Sequence, residues 1–504
     1  IEEFPALIAR TAMYLIDHIA NQEASTEFGE HYIRFPIPAA PHITIGNALT
    51  MDWNSVLPRE SADFVFGNPP FVGYHLRSKE QSDDLVPLLG DGGLSAKLDY
   101  VTGWFLTAAA YASGTLIRCA FVSTNSISQG ENVGPLWSVL MARGAAIDFA
   151  YRTFEWQSEA GGGAHVHVVI IGFSFGGRRA SPTIFDFPDQ RGEPVRRAAR
   201  SINGYLVDAE HVLIPKSTTH ITGWPPATFG SKPTDGGHLL IWPGQLQAFL
   251  DDPIAAKYVR RFMGASEILH PEERWCLWLD AVTPNEIKNP GGLRDHWKLV
   301  ADFRATSKKP ATRALAQFPA RFEVNNQPSC DYFAMPQTSS QRRSVVPGVM
   351  FADDVVCNNG VVIVAGANLA YFGAYQSSMF SAWVRTVSGR LRNDLQLSPR
   401  VVFNTFPMPD PGDSRWSPVA EAAAEVLAVR KRFADTSLGD LYDPDLAPVM
   451  LVRAHAGLDR AVDSVFAPRR RFSTEADRLA ALFGMHQAVA APLLRMTKGR
   501  VGRG

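Results

Sequence analysis

The sequence is short of cysteine. Four residues in 504, Cys119, Cys276, Cys330 and Cys357, lie far apart and form no Cys-x-x-Cys pair. That spacing argues against a zinc site and against a disulfide framework. Excess charge of either sign is lacking too: 49 Lys+Arg against 50 Asp+Glu leave a formal net charge of −1. No global basic signature marks a nucleic-acid binder, so any DNA-binding surface must be local. No apolar run is long enough to span a bilayer and no signal peptide is visible. The expectation is therefore a soluble, cytoplasmic protein with no membrane partner. No solenoid-type repeat is found. What remains is an ordinary globular composition, 46% hydrophobic and 20% charged, in a chain with room for roughly two to four domains. It starts at Ile1 rather than Met, in what reads as the middle of an element, and a fragment of a longer protein is expected.

The most informative stretch is Asp63-Phe64-Val65-Phe66-Gly67-Asn68-Pro69-Pro70-Phe71. It reads as a buried strand that stops at Gly67 and breaks into a rigid turn. Pro69 and Pro70 fix the backbone and remove two N–H donors, which leaves carbonyl acceptors exposed. Asn68 adds a side-chain carbonyl, and Phe71 a flat apolar face. Two acceptors aimed at one point beside a ring suit an exocyclic amino group on a planar base. A Pro-rich turn after a strand is the plain alternative.

Around this stretch the chain alternates. Ile8, Ala12, Leu15 and Ile19 recur at helical spacing, and His42–Ile45 reads as a short strand ending at Gly46-Asn47-Ala48-Leu49. Asn47 then sits where an α/β sheet presents ligand contacts, or is a plain turn residue. Val72–Lys97 reads as a Gly- and charge-rich loop covering the site. Asp99 opens a helix, as a cap or as a pocket residue. Leu116–Val122 is nearly continuous in apolar residues, as a central strand covered on both sides would be. Further strands are expected at Ala146–Ala150 and Ala164–Phe175, with a helix at Pro135–Arg143 before them. This pattern predicts a doubly wound, Rossmann-like α/β sheet ending in a hairpin, over residues 1–178. His165 and His167 share one strand face, but no third ligand stands at suitable spacing, so no metal is expected.

Residues 179–235, rich in Pro, Gly and Arg, read as a connector. Residues 236–410 read as a mixed α/β domain with the aromatic run Trp275–Leu279 and the basic residues Lys298, Arg304, Lys308, Lys309 and Arg313. From about Ser417 to the end, within a region 411–504, the chain is helical. Leu451, Ala454, Leu458, Ala461 and Val465 mark one buried face.

Taken in order, these pieces resemble a family. Gly67-Asn68-Pro69-Pro70-Phe71-Val72-Gly73, Leu98-Asp99-Tyr100 through Phe105, and Ala120-Phe121-Val122-Ser123-Thr124-Asn125-Ser126 carry the resemblance. Ala164–Phe173, Arg274–Leu279, Ser339-Ser340-Gln341-Arg342-Arg343, Phe403-Asn404-Thr405-Phe406-Pro407 and Leu441-Tyr442-Asp443-Pro444 extend it over nearly the whole chain. The sequence resembles the MmeI-like (type IIL) restriction–modification proteins and their gamma-class, adenine-specific DNA methyltransferase region. The resemblance implies methyl transfer from S-adenosylmethionine to the N6 amine of adenine in double-stranded DNA. Asn68, Pro69, Pro70 and Phe71 would hold the flipped base. Glu2, Asn47, Ala48 and Asp99 would line the cofactor side. Arg342 and Arg343 would read bases or phosphates, and Lys308 and Lys309 would meet phosphates. Two departures stand out. The family's first, Gly-rich cofactor motif would lie upstream of Ile1, and Gln341 stands where the family usually carries Glu. No nuclease-like segment precedes the methyltransferase region, so cleavage by this chain is not expected. A DNA-binding remnant without catalysis, or a methyltransferase acting on a protein glutamine amide, are the alternatives. The second of these usually carries Tyr in place of Phe71 and lacks a large domain after the catalytic one.

Overall fold

The computed structural model describes residues 3–29, 41–89, 98–156, 166–176, 181–187, 192–288, 292–391 and 394–501. Glu2, His165, Gly161–Gly163 and the Gly90–Gly93 run lie outside the described residues. Two compact units divide the chain: residues 1–127 with 132–202, and residues 128–131 with 203–504.

The first unit opens with α1 (Glu3–Phe28) and the short α2 (Trp53–Val56). β1 (Phe64–Gly67), α3 (Lys79–Leu89), α4 (Thr102–Ala112), β2 (Arg118–Thr124), α5 (Val133–Ala142), β3 (Ala146–Trp156) and β4 (Val166–Ser174) follow, and then β5 (Thr183–Asp186) and β6 (Val195–Ala198). The strands form one sheet in the order β1-β2-β4-β3-β5-β6. β1 and β2 run parallel, with Gly67 opposite Phe121. β4, the return arm of the expected hairpin, inserts antiparallel between β2 and β3. A ring cluster cements α4 to this sheet: Phe105 lies 5.1 Å from Phe121, 5.5 Å from Phe173 and 6.4 Å from Trp137 on α5.

Several local expectations are corrected. β2 is not buried on both faces. Its residues alternate between buried and partly or fully exposed, because α4 covers one side while Phe64 and Phe66 of the edge strand β1 stay 64% and 80% exposed. His42–Ile45 forms no strand; the chain instead turns at Asn47, whose carbonyl accepts from the Thr50 and Met51 amides. The expected cover loop contains α3, whose Leu85 and Leu89 are buried. Its start is a reciprocal cap: the Gln81 amide donates to Ser78 Oγ and the Ser78 amide to Gln81 Oε1. β5 and β6, inside the stretch read as a connector, extend the first sheet. No residue of α1 is buried in the chain.

Among the described residues the second unit holds three small sheets and a helical end. In chain order its elements begin with β7 (Thr228–Phe229), β8 (Leu240–Ile241), α6 (Pro243–Asp251), β9 (Val259–Met263), α7 (Ala265–Leu269), β10 (Trp275–Leu277), α8 (Pro284–Lys288), α9 (Gly292–Ala305) and α10 (Pro310–Ala314). There follow β11 (Tyr332–Pro336), β12 (Thr338–Ser339), β13 (Val349–Phe351), β14 (Val356–Cys357), β15 (Val361–Ala365), α11 (Leu369–Tyr375), α12 (Ser378–Val387), β16 (Gly389–Leu391) and β17 (Asp394–Gln396). A π-helical turn at Pro399–Phe403, α13 (Trp416–Lys431), α14 (Leu438–Leu441), α15 (Val449–Phe466) and α16 (Glu475–Val501) complete it. The sheets run β14-β9-β10-β8, β13-β11-β15-β7 and β12-β17-β16. On α15 the buried face is Leu451, His455, Leu458, Val462, Val465 and Phe466, one step round from the predicted stripe where Ala454 and Ala461 fall.

Two arginines hold this unit together without a carboxylate. Arg304, fully buried on α9, donates to the carbonyls of Pro233, Thr234, Leu315, Phe318 and Arg321. Arg430 of α13 donates to the Gly348 carbonyl at 2.7 Å, to Gln376 Oε1 at 2.7 Å and to the Tyr442 hydroxyl. His455 closes that network, 2.6 Å from the Tyr442 hydroxyl.

Burial holds His220, His455 and His486 down to about 4, from an ordinary 6.5. These imidazoles stay neutral in the fold, while the unfolded chain takes up protons near pH 6.5. The unfolded state therefore binds more protons between about 4 and 6.5, and stability is lost as pH falls through that window. We expect the thermal midpoint of this unit to drop progressively from neutral pH towards about 4, and the drop to shrink in His455→Gln.

Candidate functional site

The site forms where two parallel strands end side by side. β1 stops at Gly67 and delivers Asn68, which is exposed; Pro69 is buried, Pro70 exposed and Phe71 half-buried. Buried Pro69 pins the turn to the unit while Asn68 projects outward. Among the described residues nothing engages the Asn68 side chain. β2 ends next to it in Thr124-Asn125-Ser126. The carboxyl ends of adjacent parallel strands are where an α/β sheet places its ligand contacts.

A brace of hydrogen bonds holds the far side of the turn. The Tyr74 amide donates to Asp99 Oδ1 at 2.9 Å, and the Tyr100 amide to the Val72 carbonyl at 2.9 Å. Ser126 donates to Asp99 Oδ2, and Thr124 Oγ1 lies 2.8 Å from Ser126 Oγ. Asp99 therefore ties the end of β2 to the segment leaving the Asn-Pro-Pro-Phe turn. It is neither the side-chain cap of α4, which starts at Thr102 after Val101, nor a free acceptor. A second knot lies beside it on Asp84 of α3. Asp84 Oδ2 accepts from Asn47 Nδ2 at 2.9 Å and from the Tyr100 hydroxyl at 2.7 Å. Burial, reinforced by Asp84, pushes the Tyr100 phenol well above its ordinary range, so it stays a neutral donor.

This arrangement decides what the expected cofactor residues can offer. Asn47 spends its amide on Asp84 and its carbonyl on the Leu49 amide. The Ala48 carbonyl accepts from Trp53 Nε1 at 2.8 Å. Asp99 is engaged on both oxygens, and these three residues frame the site. A hollow of about 300 Å³ nearby, lined by Phe64, Phe66, Cys119, Asp148 and Phe149, is not formed by the Asn68–Phe71 turn. Sequence reasoning passed over Asp84 and Ser126. The Ser-Thr-Asn-Ser run after an apolar strand was the available signal for Ser126. For Asp84, hidden in a polar stretch, there was none. On the methyltransferase reading that the resemblance implies, Asp99→Ala is expected to slow methyl transfer by roughly tenfold or more, the loss of a half-buried acceptor shared by two donors being worth about 1–3 kcal/mol. Duplex binding should be unchanged, as steady-state kinetics and a binding titration on one preparation would show.

The four basic candidates lie in the second unit and are not brought together by a common contact. Arg342 is 61% exposed and pairs with Asp445, itself 72% exposed; an exposed pair of this kind is worth about 0–1 kcal/mol and does not withhold the guanidinium from another ligand. Arg343 is half-buried, with Nε lacking a partner among the described residues. Lys308 and Lys309 are exposed just before α10. Among the described residues there is no cluster of three potential metal ligands, and no helix is long and apolar enough to cross a membrane.

Three family models match the chain one after another. They are the MmeI DNA-methyltransferase domain over residues 1–186, the MmeI target recognition domain over 208–410 and the MmeI C-terminal domain over 412–494. The chain belongs to the MmeI family. A relative from Bacillus subtilis (strain 168), DNA methyltransferase A, is 31% identical over 492 residues, which are 97% of this chain and 55% of that protein. The structure of the type IIL restriction-modification enzyme MmeI in complex with DNA superimposes with a TM-score of 0.82 at 39% identity, covering 97% of this chain and 66% of that one. The MmeI-family chain thus spans about half the length of the curated relative it matches. Asn68–Phe71 falls within the MmeI methyltransferase domain, and Arg342, Arg343, Lys308 and Lys309 within the MmeI target recognition domain.

Proposed function

We propose that this chain is the modification part of a restriction–modification system, transferring a methyl group from S-adenosylmethionine to the N6 amine of an adenine in duplex DNA. The observation that carries the reading is Asn68: exposed, unengaged among the described residues, and fixed between buried Pro69 and the end of a parallel strand. S-adenosylmethionine, when bound, supplies a methyl group already electrophilic on a sulfonium, so neither a metal nor a covalent enzyme intermediate is required.

The chain's own part is to present the amine. A flipped adenine costs on the order of a few kcal/mol to unstack, and stacking on Phe71 returns about 1–3 kcal/mol. Asn68 Oδ1 and the Pro69 carbonyl accept hydrogen bonds from the two amine N–H groups. That orients the nitrogen lone pair away from the ring and draws off positive charge as the new bond forms. Asp99, Ser126 and Tyr100 act through the turn, keeping both acceptors on one point. The basic residues of the target recognition domain supply phosphate and base contacts, with about 1–3 kcal/mol of discrimination for a bidentate base contact.

The test is modification-sensitive long-read sequencing of genomic DNA from cells expressing this chain. N6-methyladenine at one short sequence motif, absent from cells carrying an empty vector, supports the reading. Methylation of a protein amide in its place, or no methylation of DNA, overturns it for this chain.

A further inference from the structure

A concavity of about 460 Å³ opens in the second unit, between β7, the segment at Val324–Asn326 and the π-helical turn Pro399–Phe403. None of the residues assigned above to base or phosphate contact lines it. Its chemistry is one-sided. Lys232 and Arg400 supply two cations, Asn326, Asn359 and Asn404 three amides, and no carboxylate lines it among the described residues. Phe229 and Pro399 contribute apolar surface to the same wall.

Arg400 and Asn359 face this space uncommitted among the described residues, while Lys232 and Asn326 have partners and the frame behind them is fixed. Among the described residues nothing engages the side chains of Arg400 or Asn359, both exposed. Lys232 meets Glu323 at 2.7 Å but is itself 44% exposed, and an ammonium has two further protons to give. Behind them, buried Asn404 donates to the Ser217 carbonyl and accepts from the Ala227 amide at 2.7 Å, and the Arg400 carbonyl accepts from the Ser217 amide at 2.9 Å. The Asn326 amide donates to the Phe229 carbonyl at 2.8 Å. At Gly230 a Cβ would fall 2.4 Å from the carbonyl oxygens of Cys357 and Asn358, so β7 packs against that loop with no room to shift. π-Helical turns recur at functional positions because they break the helix register to re-aim side chains. This one carries Arg400.

We propose that this concavity seats one phosphodiester unit of the DNA backbone: the phosphate on Arg400 and Lys232, and the adjoining deoxyribose against Phe229 and Pro399. A guanidinium matches two phosphate oxygens at once, while the ammonium adds a point charge. A free phosphate or mononucleotide offers the same oxyanion. The apolar residues Phe229, Val324 and Pro399 in the same lining favour the backbone unit, which has a sugar attached on each side. Such a contact fixes the register of the recognition domain on the duplex and carries no sequence information. The inference rests on the DNA reading above.

The test is fluorescence anisotropy of a short mixed-sequence duplex with the full chain across a range of NaCl concentrations. Removing one phosphate-binding cation lowers the slope of log K against log [salt] by about 0.9. Arg400→Ala should show that decrease and weaken binding alike for every sequence, Arg400→Lys should keep the slope, and Lys431→Ala, an exposed charge on α13, should leave it unchanged. Arg400 has no side-chain partner to lose among the described residues, so its variants should melt as the parent does. A slope unchanged in Arg400→Ala overturns the proposal, and so does an equal decrease in Lys431→Ala, which would mark a diffuse field. Titration with inorganic phosphate and with dAMP at constant ionic strength separates the sources. Arg400-dependent binding of either, together with an unchanged DNA slope, assigns the site to a free anion and overturns the backbone assignment. Failure of the parent chain to bind any duplex is a different result, one that removes the DNA reading itself.

Discussion

Asn68→Ala should lose methyl transfer, by about a hundredfold at the least and most simply to below detection. It removes one of two acceptors placed on the reacting amine, and loss of a single preorganised polar group at a reacting centre costs on the order of 10²–10³ in rate. The side chain is exposed and carries no structural hydrogen bond among the described residues, so its truncation should leave the fold and the melting temperature where they were. Duplex affinity should change little, because phosphate contacts elsewhere dominate it. Tritium transfer to DNA, measured beside a Kd for the same duplex, separates the two effects. Full activity in Asn68→Ala would remove the central claim. Asn68→Asp is the informative companion. It keeps an acceptor but adds a charge and removes the amide donor, so partial activity there would show that accepting a hydrogen bond is the essential task.

Arg304→Met should be among the most destabilising single changes in the second unit, with a loss on the order of 4 kcal/mol or more. The guanidinium is fully buried and satisfies five backbone carbonyls, from Pro233, Thr234, Leu315, Phe318 and Arg321. Methionine fills much of the same volume and satisfies none of them. Each buried acceptor left without a donor costs about 1–3 kcal/mol, less where water can follow. Strain adds to this. Thr234 sits at φ +46°, a left-handed conformation unfavourable to a β-branched residue, and it persists because Arg304 holds its carbonyl while Glu323 holds its hydroxyl. Urea denaturation followed by tryptophan fluorescence should show the midpoint of this unit shifting downward. Arg304→Lys should fall between the two, since an ammonium keeps the charge but cannot span five acceptors. A midpoint in Arg304→Met within error of the parent would mean that the carbonyls find water at no cost.

The sequence and the structure agree where local chemistry decides the outcome. The Asn-Pro-Pro-Phe turn was legible because two prolines leave the backbone few choices, and the strand before it because its residues favour extended chain, though it is an exposed edge strand and not the buried one expected. β3 and β4 could be read as a hairpin from their apolar runs alone. Failures cluster where a partner distant in sequence decides. Arg304 reads as one more surface charge in a basic stretch, and only the five carbonyls that meet it from two separate segments explain its burial. The bond from Asn47 to Asp84, 37 residues on, was in neither reading of Asn47. α3 was missed for a different reason. Its composition is polar and Pro87 sits inside it, but the Ser78-x-x-Gln81 cap was in plain view and should have announced a helix.

The Arg430 network has one further implication, for how the protein responds to its ionic surroundings. All three of its hydrogen-bond acceptors are neutral: a backbone carbonyl, an amide oxygen and a phenol. Dissolved ions weaken attractions between exposed charges and do little to a buried dipole contact. On the proposed DNA reading, the salt that releases a phosphate from Arg400 therefore leaves the joint between α13, α15 and the β-rich part of this unit intact. On that reading, release from DNA and loss of shape are separate events along a salt axis, and letting go of one duplex to engage another does not loosen the frame.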